Sequence, residues 1–446
     1  MATAIVLVPF LLFLLTGMRI GTILLAIGVL GTFVLYGQNT MTGMLQNDPF
    51  ITVAAYGLTP IPLFIFMAYC IMQANIVDNM YLVAYKISRG RPSLLGAVTI
   101  FIGGFLGAVS GSGAAIAAAL GKTIAPQLQR HGFSPALAAA TTATGGSLAA
   151  IIPPSIILII YGSLTETSVG KLFMGALIPG LLLMIVYAVC VVVTYNIFER
   201  RKEPEKRDSQ ELNVHSGFND HIENSKEEIK SIAISCVMGV MLIVIVLGGI
   251  YTGIFTPTEA AAAATFVSLL YCAGLGRLNI NFLKKALKET ASITAMIMFI
   301  ILTAQLFGRL VSLLKIPATI ISLLDPILDM TLLVVILLML FYFILGMFLE
   351  GAAAMIMAVP ITYPLMEVIG VEPLWFGVMI GMLLCLGLIT PPIGLSVFSA
   401  SGVTGVPLTS IFRYTIVFGA IGMGVVGGLM WFFPEIALWL PSQMAG

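Results

Sequence analysis

Apolar runs of about 20 residues recur along the chain, each able to cross a hydrocarbon core of about 30 Å as a helix. The pattern predicts helices over 3–16, 20–36, 50–73, 93–109, 113–129, 135–151, 154–162, 172–197, 231–250, 258–275, 289–309, 331–346, 352–367, 374–389, 392–402 and 411–433. Several are too short to span alone. Two such pairs are joined by small residues, SGSG at 110–113 and GMFLEG at 346–351. A short pair with a glycine-rich joint predicts a re-entrant hairpin, because non-helical backbone at that depth is tolerated only against protein or a watery cavity. The apolar pattern lapses for long only at 198–230, FERRKEPEKRDSQELNVHSGFNDHIENSKEEIK. Mixed charge without periodicity predicts a solvated linker between an N-terminal half, 1–197, and a C-terminal half, 231–446. Amphipathic stretches at 75–91 and 313–327, one before each hairpin, predict arm helices lying along an interface.

The chain interrupts its own helices twice in the same manner, with AAIIPPSI at 149–156 and LITPPIGL at 388–395. Proline lacks the N–H and its ring clashes with the carbonyl one turn back, so each pair predicts a broken helix. Shifting the chain by 238 residues lays Pro126, Pro135, Pro153 and Pro154 on Pro364, Pro373, Pro391 and Pro392, and Gly113 and Gly132 on Gly351 and Gly370. Positive charge orients the spans. With the linker in the cytoplasm, its side also holds Arg19, Lys86, Arg89, Arg91, Arg130, Arg277, Lys284, Lys285, Lys288 and Arg413. The far side holds Lys171, Arg309 and Lys315 and both termini, and Lys122 falls within a hairpin arm and snorkels to the cytoplasmic boundary. The two hairpins then enter from opposite faces. Opposite entry with internal similarity marks an inverted-topology repeat, an architecture of secondary transporters. The expected fold is therefore all-α and polytopic, with two re-entrant hairpins and two broken transmembrane helices.

Composition agrees: 59% of residues are hydrophobic and 9% charged, against about 25% charged in soluble domains. The net charge of +1 says nothing about partners, and nucleic acid is not expected as one because no basic patch is interleaved with aromatics. Cys70, Cys190, Cys236, Cys272 and Cys385 lack CxxC spacing and read as small buried hydrophobes. His131, His215 and His221 have no second ligand on one helix face, so a transition-metal site is not expected. The first apolar run has no basic n-region and reads as a retained span. TPTEAAA at 256–262 reads as a capping box, with Thr256 as N-cap, Pro257 at N1 and Glu259 at N3. There is no nucleophile with a histidine partner, no pair of membrane aspartates and no phosphate loop. The chain is not read as an enzyme, and energy must come from an ion gradient or another subunit.

In each half a hairpin tip should meet a broken helix near the midplane. The first half offers Ser110, Gly111, Ser112 and Gly113 at the tip, and Thr144, Gly145, Gly146, Ser147 and Pro153 at the break. The second offers Gly346, Glu350 and Gly351 at the tip, and Gly387, Thr390, Pro391 and Gly394 at the break. Freed carbonyls and hydroxyls suit a hard monovalent cation such as Na⁺, one at each break. Helix N-termini aimed at the same place favour an anionic substrate group, placed among Ser112, Pro154, Ser155, Pro392 and Ser396. The bland alternative is that glycine and serine serve only close helix packing. Glu350, an acid in an apolar run, either binds a cation or caps the second hairpin arm.

Residues 111–182, from GSGAAIAAALGKT through IIPPS to GALIPGLL, resemble the signature region of the large membrane subunit of tripartite ATP-independent periplasmic (TRAP) transporters. So do PLFIFMAYCIM at 62–72, GGIYTGIFTPTEAAAAA at 248–264, FLEGAAAMIMAVPITYPLM at 348–366 and the GLITPPIGLSVFSASG that follows. The resemblance covers nearly all of the chain outside the linker. It implies a bacterial inner-membrane permease working with a small membrane subunit of about four spans and a periplasmic binding protein. It also implies organic acid substrates (C4-dicarboxylate, sialic acid, keto acid or sugar acid), Na⁺ as coupling ion, no organic cofactor, and an elevator motion of the hairpins and broken helices against a scaffold. Family sodium sites lie where each tip meets its broken helix. Two positions depart from the pattern: Gly113 stands where many members have Ser, and Glu350 where many have Asp. A self-sufficient Na⁺-coupled carboxylate or ion transporter, needing no binding protein, is the alternative. An intramembrane enzyme or assembly scaffold is a third reading.

Overall fold

The computed structural model describes residues 20–74, 91–199, 226–328 and 330–444, with Pro9, Phe13, Met18 and Ser88 besides. The helix expected over 3–16, the arm over 75–91 and most of the linker lie outside the described residues. Among the described residues all regular structure is helical, and seven helices are long and apolar enough to cross a membrane.

The helices are α1 (Ile20–Val53), α2 (Pro60–Gln73), α3 (Pro92–Ser110), α4 (Gly113–Thr123), α5 (Ala125–Arg130), α6 (Pro135–Ser147), α7 (Ile156–Thr165) and α8 (Val169–Thr194). A π-turn, Tyr195–Glu199, ends α8. There follow α9 (Lys226–Ile243, continued by a π-turn Val244–Gly248), α10 (Pro257–Gly274), α11 (Ile280–Leu313), α12 (Ile316–Leu328), α13 (Thr331–Phe348) and α14 (Gly351–Val368). The last are α15 (Pro373–Gly387), α16 (Leu395–Thr404), α17 (Leu408–Gly422) and α18 (Glu435–Ser442).

Several boundaries differ from the expected ones, for local reasons. The run 50–73 is not one helix: 50–53 end α1, a 3₁₀ turn follows at Tyr56–Leu58, and α2 restarts at Pro60. Proline is favoured at a first helical position, where its missing N–H costs nothing, and it disfavours helix just before it. Gly37 (φ 83°) divides α1 into two limbs, so the apolar span and the polar stretch after it point apart. Pro126 likewise separates α5 from α4. Helix α11 begins at Ile280 rather than 289, because Asn279 caps it by accepting the Phe282 N–H at 2.8 Å. Residues 226–230, expected in the linker, already belong to α9. The capping box at Thr256 forms as expected: Thr256 Oγ1 accepts the Glu259 N–H, and Glu259 accepts the Thr256 N–H.

The packing is reciprocal. Helix α1 lies on α11 and α2 on α10; α4 lies on α16 and α14 on α7; α3 lies on α6 and α13 on α15. Hydrogen bonds between helices sort the structure into two bodies. In the first, Tyr36 donates to the Leu313 carbonyl, Thr265 to Leu63, Arg277 to Gln73, and Arg309 pairs with Asp48. This body comprises α1, α2 and α9–α11. In the second, Tyr161 donates to the Pro373 carbonyl, Tyr363 to Thr165 and Trp375 Nε1 to Met430. It comprises α3–α8 and α13–α18. Glu199 ties three of its helices together: its Oε1 accepts from Ser134, the N-cap of α6, at 2.8 Å, and from Tyr414 within α17 at 3.3 Å. None of these bonds passes from one body to the other.

Loss of the Thr256 cap should be measurable because its box is complete. Thr256→Ala is expected to destabilise the detergent-solubilised protein by about 1 kcal/mol, and Thr256→Ser by far less. Thermal unfolding of the two variants against the parent checks this.

Candidate functional site

Each proline pair removes two N–H donors from a helix that would otherwise continue. Around the first, the carbonyls of Ala149 and Ala150 lose the donors four residues on. The Ser155 hydroxyl replaces one of them, donating to the Ala150 carbonyl at 2.8 Å, and Ser155 then serves as N-cap residue of α7. Around the second, the carbonyls of Gly387 and Leu388 lose theirs. The Thr390 N–H supplies one at 3.0 Å and the Ser396 N–H the other at 3.1 Å. Both pairs are joined by cis peptide bonds. Helices α6 and α7, 13 and 10 residues long, are about 20 and 15 Å. Neither half of the broken helix crosses a bilayer by itself.

The two breaks are not closed alike. Residues 149–156 are all buried, whereas Pro392 is exposed and Ile393 is 37% exposed. One residue more separates the second proline pair from its following helix. The counterpart of Ser155 at the helix start is therefore Gly394, and not Ile393 as a spacing of 238 alone predicts. Gly394 takes φ 55°, a left-handed conformation that a β-carbon disfavours. This turn lets its N–H donate to the Met347 carbonyl at 3.1 Å, joining the second break to the second hairpin through backbone alone.

The tips are built by the same logic. Helix α3 ends at Ser110, Gly111 turns in the left-handed region (φ 66°), and Ser112 is the extended N-cap of α4, which starts at Gly113. Helix α13 ends at Phe348, and Glu350 is the N-cap of α14, which starts at Gly351. Glu350 Oε2 accepts the Ala352 N–H at 3.1 Å, so the capping alternative is what the structure contains. A carboxylate has about four lone-pair directions, so this bond leaves acceptor capacity for a cation.

Glycines bring tip and break together. A methyl group on Gly103 of α3 would lie 2.6 Å from the Gly145 carbonyl carbon, and one on Gly146 would lie 2.6 Å from Ala117 N and 2.7 Å from Gly113 O. In the second half a methyl on Gly387 would overlap Gly346. The halves also interlock across the repeat. A methyl on Gly113 would lie 3.2 Å from both Gly146 O and Ser396 Oγ, and one on Gly351 would strike Ile157. Each tip therefore faces the post-break helix of the other half as well as its own break, which single-half reasoning missed.

The hydroxyls divide by what they already do. Ser147 donates to the Thr144 carbonyl at 2.9 Å and Thr390 to Leu386 at 2.7 Å. With Ser155, these spend their protons locally and keep lone pairs for an ion. Ser396 Oγ is buried without a hydrogen-bond partner, as is Thr144 Oγ1. A carbonyl, a partnerless hydroxyl and a glycine backbone thus meet where the two halves touch. Oxygen donors of this kind fit a hard cation or a polar ligand group. Among the described residues no group of three His, Cys, Asp or Glu side chains is placed to hold a metal ion.

Residues 7–436 match the family model described as tripartite ATP-independent periplasmic transporter, DctM component. A C4-dicarboxylate TRAP transporter large permease protein, DctM, of Pseudomonas aeruginosa is 34% identical over 76% of this chain and 75% of its own length. The isethionate TRAP transporter permease protein DctMQ of Oleidesulfovibrio alaskensis is 29% identical over 94% of this chain, which spans 63% of that relative. The sialic acid TRAP transporter large permease protein SiaM of Vibrio cholerae is 28% identical over 97% of both chains.

The glycine contacts make a direct expectation. Gly103→Ala and Gly387→Ala should each cost about 1–3 kcal/mol by overpacking, despite the helix propensity they gain. Gly402→Ala, where a methyl meets nothing within 4 Å, should be neutral or slightly stabilising. Thermal-shift measurement of the three variants in detergent decides it.

Proposed function

This chain belongs to the DctM component family of tripartite ATP-independent periplasmic transporters, and we propose that it is the large permease subunit of a sodium-gradient-driven importer of organic acid anions. It is a multi-pass membrane protein, and the relatives that match it are named as permeases, not enzymes. In the proposed system a periplasmic binding protein delivers the substrate and a small four-helix membrane subunit completes the permease. Relatives are named for C4-dicarboxylate, sialic acid and 2,3-diketo-L-gulonate, so the substrate class is a small organic acid. Both termini face the periplasm and 198–230 the cytoplasm, as the Lys and Arg distribution favours.

The observation that carries the reading is the meeting of Gly146 O, Gly113 and the partnerless Ser396 Oγ, flanked by two broken helices. One Na⁺ is held between Ser110–Gly113 and Gly145–Ser147 with Pro153. A second is held between Gly346, Glu350 and Gly351 and Gly387, Thr390, Pro391 and Gly394. The anion lies among Ser112, Pro154, Ser155, Pro392 and Ser396, where helix N-termini offer N–H groups. Backbone and hydroxyl oxygens supply most of the ligands, and Glu350 is the one acidic side chain among them.

The two halves, 1–197 and 231–446, form an inverted repeat in this reading. Support comes from Ser147 and Cys385, which are 238 residues apart and equivalent by the repeat: Cys385 Sγ lies 3.6 Å from Ser147 Oγ. Equivalent residues of a two-fold arrangement can touch only on its axis. The second body of helices, with both tips and both breaks, then moves as a unit against the first in an elevator step.

The test is uptake into proteoliposomes holding this chain, its small subunit and the cognate binding protein. An inward Na⁺ gradient should drive accumulation of the organic acid that the binding protein retains, and Ser396→Ala should lower the rate by about tenfold, the worth of one lost polar contact of ~1.4 kcal/mol. Uptake indifferent to Na⁺ would overturn the coupling. Full uptake without the binding protein would favour the self-sufficient alternative.

A further inference from the structure

Pro153 and Pro154 do not face the oxygen-lined side alone. Their other side looks onto a narrow crevice of about 20 Å³ between the two bodies. Its far wall is Met67 of α2 with Leu242 and Val246 of α9, and Phe105 of α3 closes one end. Every residue that lines it is apolar. Met67, Leu242 and Val246 are 1%, 3% and 2% exposed, so the wall is pressed shut over the break. Val246 sits inside the π-turn Val244–Gly248, a helix irregularity that recurs at functional sites.

A break with carbonyls freed of helical donors attracts water, and a wall without polar groups makes that water costly to hold. Apolar constrictions block ions by this dewetting. Other contacts between the bodies share the character, among them Phe105 against Gly239, Pro360 against Gly308, and Phe173 edge-on to Phe64 at 6.3 Å. No wall of this kind stands over the second break, where Pro392 and Ile393 are uncovered.

We propose that Met67, Leu242 and Val246 form a dewetted gate, held by the first body over the first break and closed in this conformer. The inference rests on the transport reading, in which the first break binds an ion: the gate keeps that ion from crossing without the movement that carries substrate. Because the gate side chains, like Pro153 and Pro154 across the crevice, are apolar, opening it breaks no side-chain hydrogen bond of theirs.

The gate is read by sodium leak. Proteoliposomes with this chain and its small subunit, without substrate or binding protein, are loaded with ²²Na⁺ and efflux is followed. The same preparation with binding protein and its bound acid gives Na⁺-driven uptake. Val246→Ser should raise efflux about tenfold over the parent by letting the crevice wet, and Val246→Ile should keep it at the parent level. Leu242→Ser, on the same wall, gives the same reading if Val246→Ser is not recovered folded. Parent-level efflux in both serine variants, with Na⁺-driven uptake intact in the parent, would overturn the gate and leave the transport reading standing. Loss of Na⁺-driven uptake in the parent would overturn the transport reading itself.

Discussion

Within a bilayer, a backbone carbonyl that has lost its helical donor has no bulk water to accept from, and leaving it unpaired costs several kcal/mol. Two proline pairs impose that condition on this chain, and much of the rest follows from it. The Ser155 hydroxyl answers at one break, and the N–H groups of Thr390 and Ser396 answer at the other. Non-helical backbone at that depth must also be surrounded by protein. That requirement calls for hairpins reaching in beside each break, and hairpins that close need glycine where their backbones touch it.

The two proline breaks are closed in two ways because one residue more follows the second pair before its helix. That residue moves Gly394 to the helix start and turns its N–H toward Met347, so hairpin and break are stitched by a main-chain bond. At the first break Ser155 holds the turn by its own side chain. The first break is covered, and the second is bonded to its tip and uncovered. Two ion sites built on these breaks would share ligand chemistry without sharing access.

What the sequence disclosed was what depends on neighbours in the chain. The proline pairs, the glycines at both tips and the capping box at Thr256 each act within a few residues, so their types and spacing suffice. The helix end expected at 36 coincides with the division of α1 at Gly37, whereas the helical continuation to Val53 was not foreseen, because the polar stretch after Gly37 carries no apolar run. The early start of α11 was obscured by its lysines, which a helix end protruding from the apolar zone accommodates. The register change at Ile393 lay beyond the last aligned proline, where nothing in the sequence fixes the match. Approaches such as Ser396 to Gly113, or the shared crevice of Val246 and Pro154, bring together segments from different halves or bodies, and their partners share no local pattern. The candidate residues lie in motifs that act locally, and the way the segments carrying them combine was not legible.

Glycine does opposite work in the two settings, and this is what allows one chain to be both firm and slippery. Within the second body Gly103, Gly146 and Gly387 permit backbone to meet backbone, and hydrogen bonds from Tyr161, Tyr363 and Ser134 then lock those helices into one unit. Between the bodies Gly239 and Gly308 present flat patches to Phe105 and Pro360, side chains that cannot donate a hydrogen bond. A unit that is to travel as a whole needs directional bonds inside it, so that its ion ligands keep their spacing while it moves. Against the surface it passes, it needs contacts whose energy changes little with displacement, and apolar contact meets that need because burial is non-directional. The distribution of polar bonds between helices therefore serves the proposed motion as directly as the breaks serve the proposed ions.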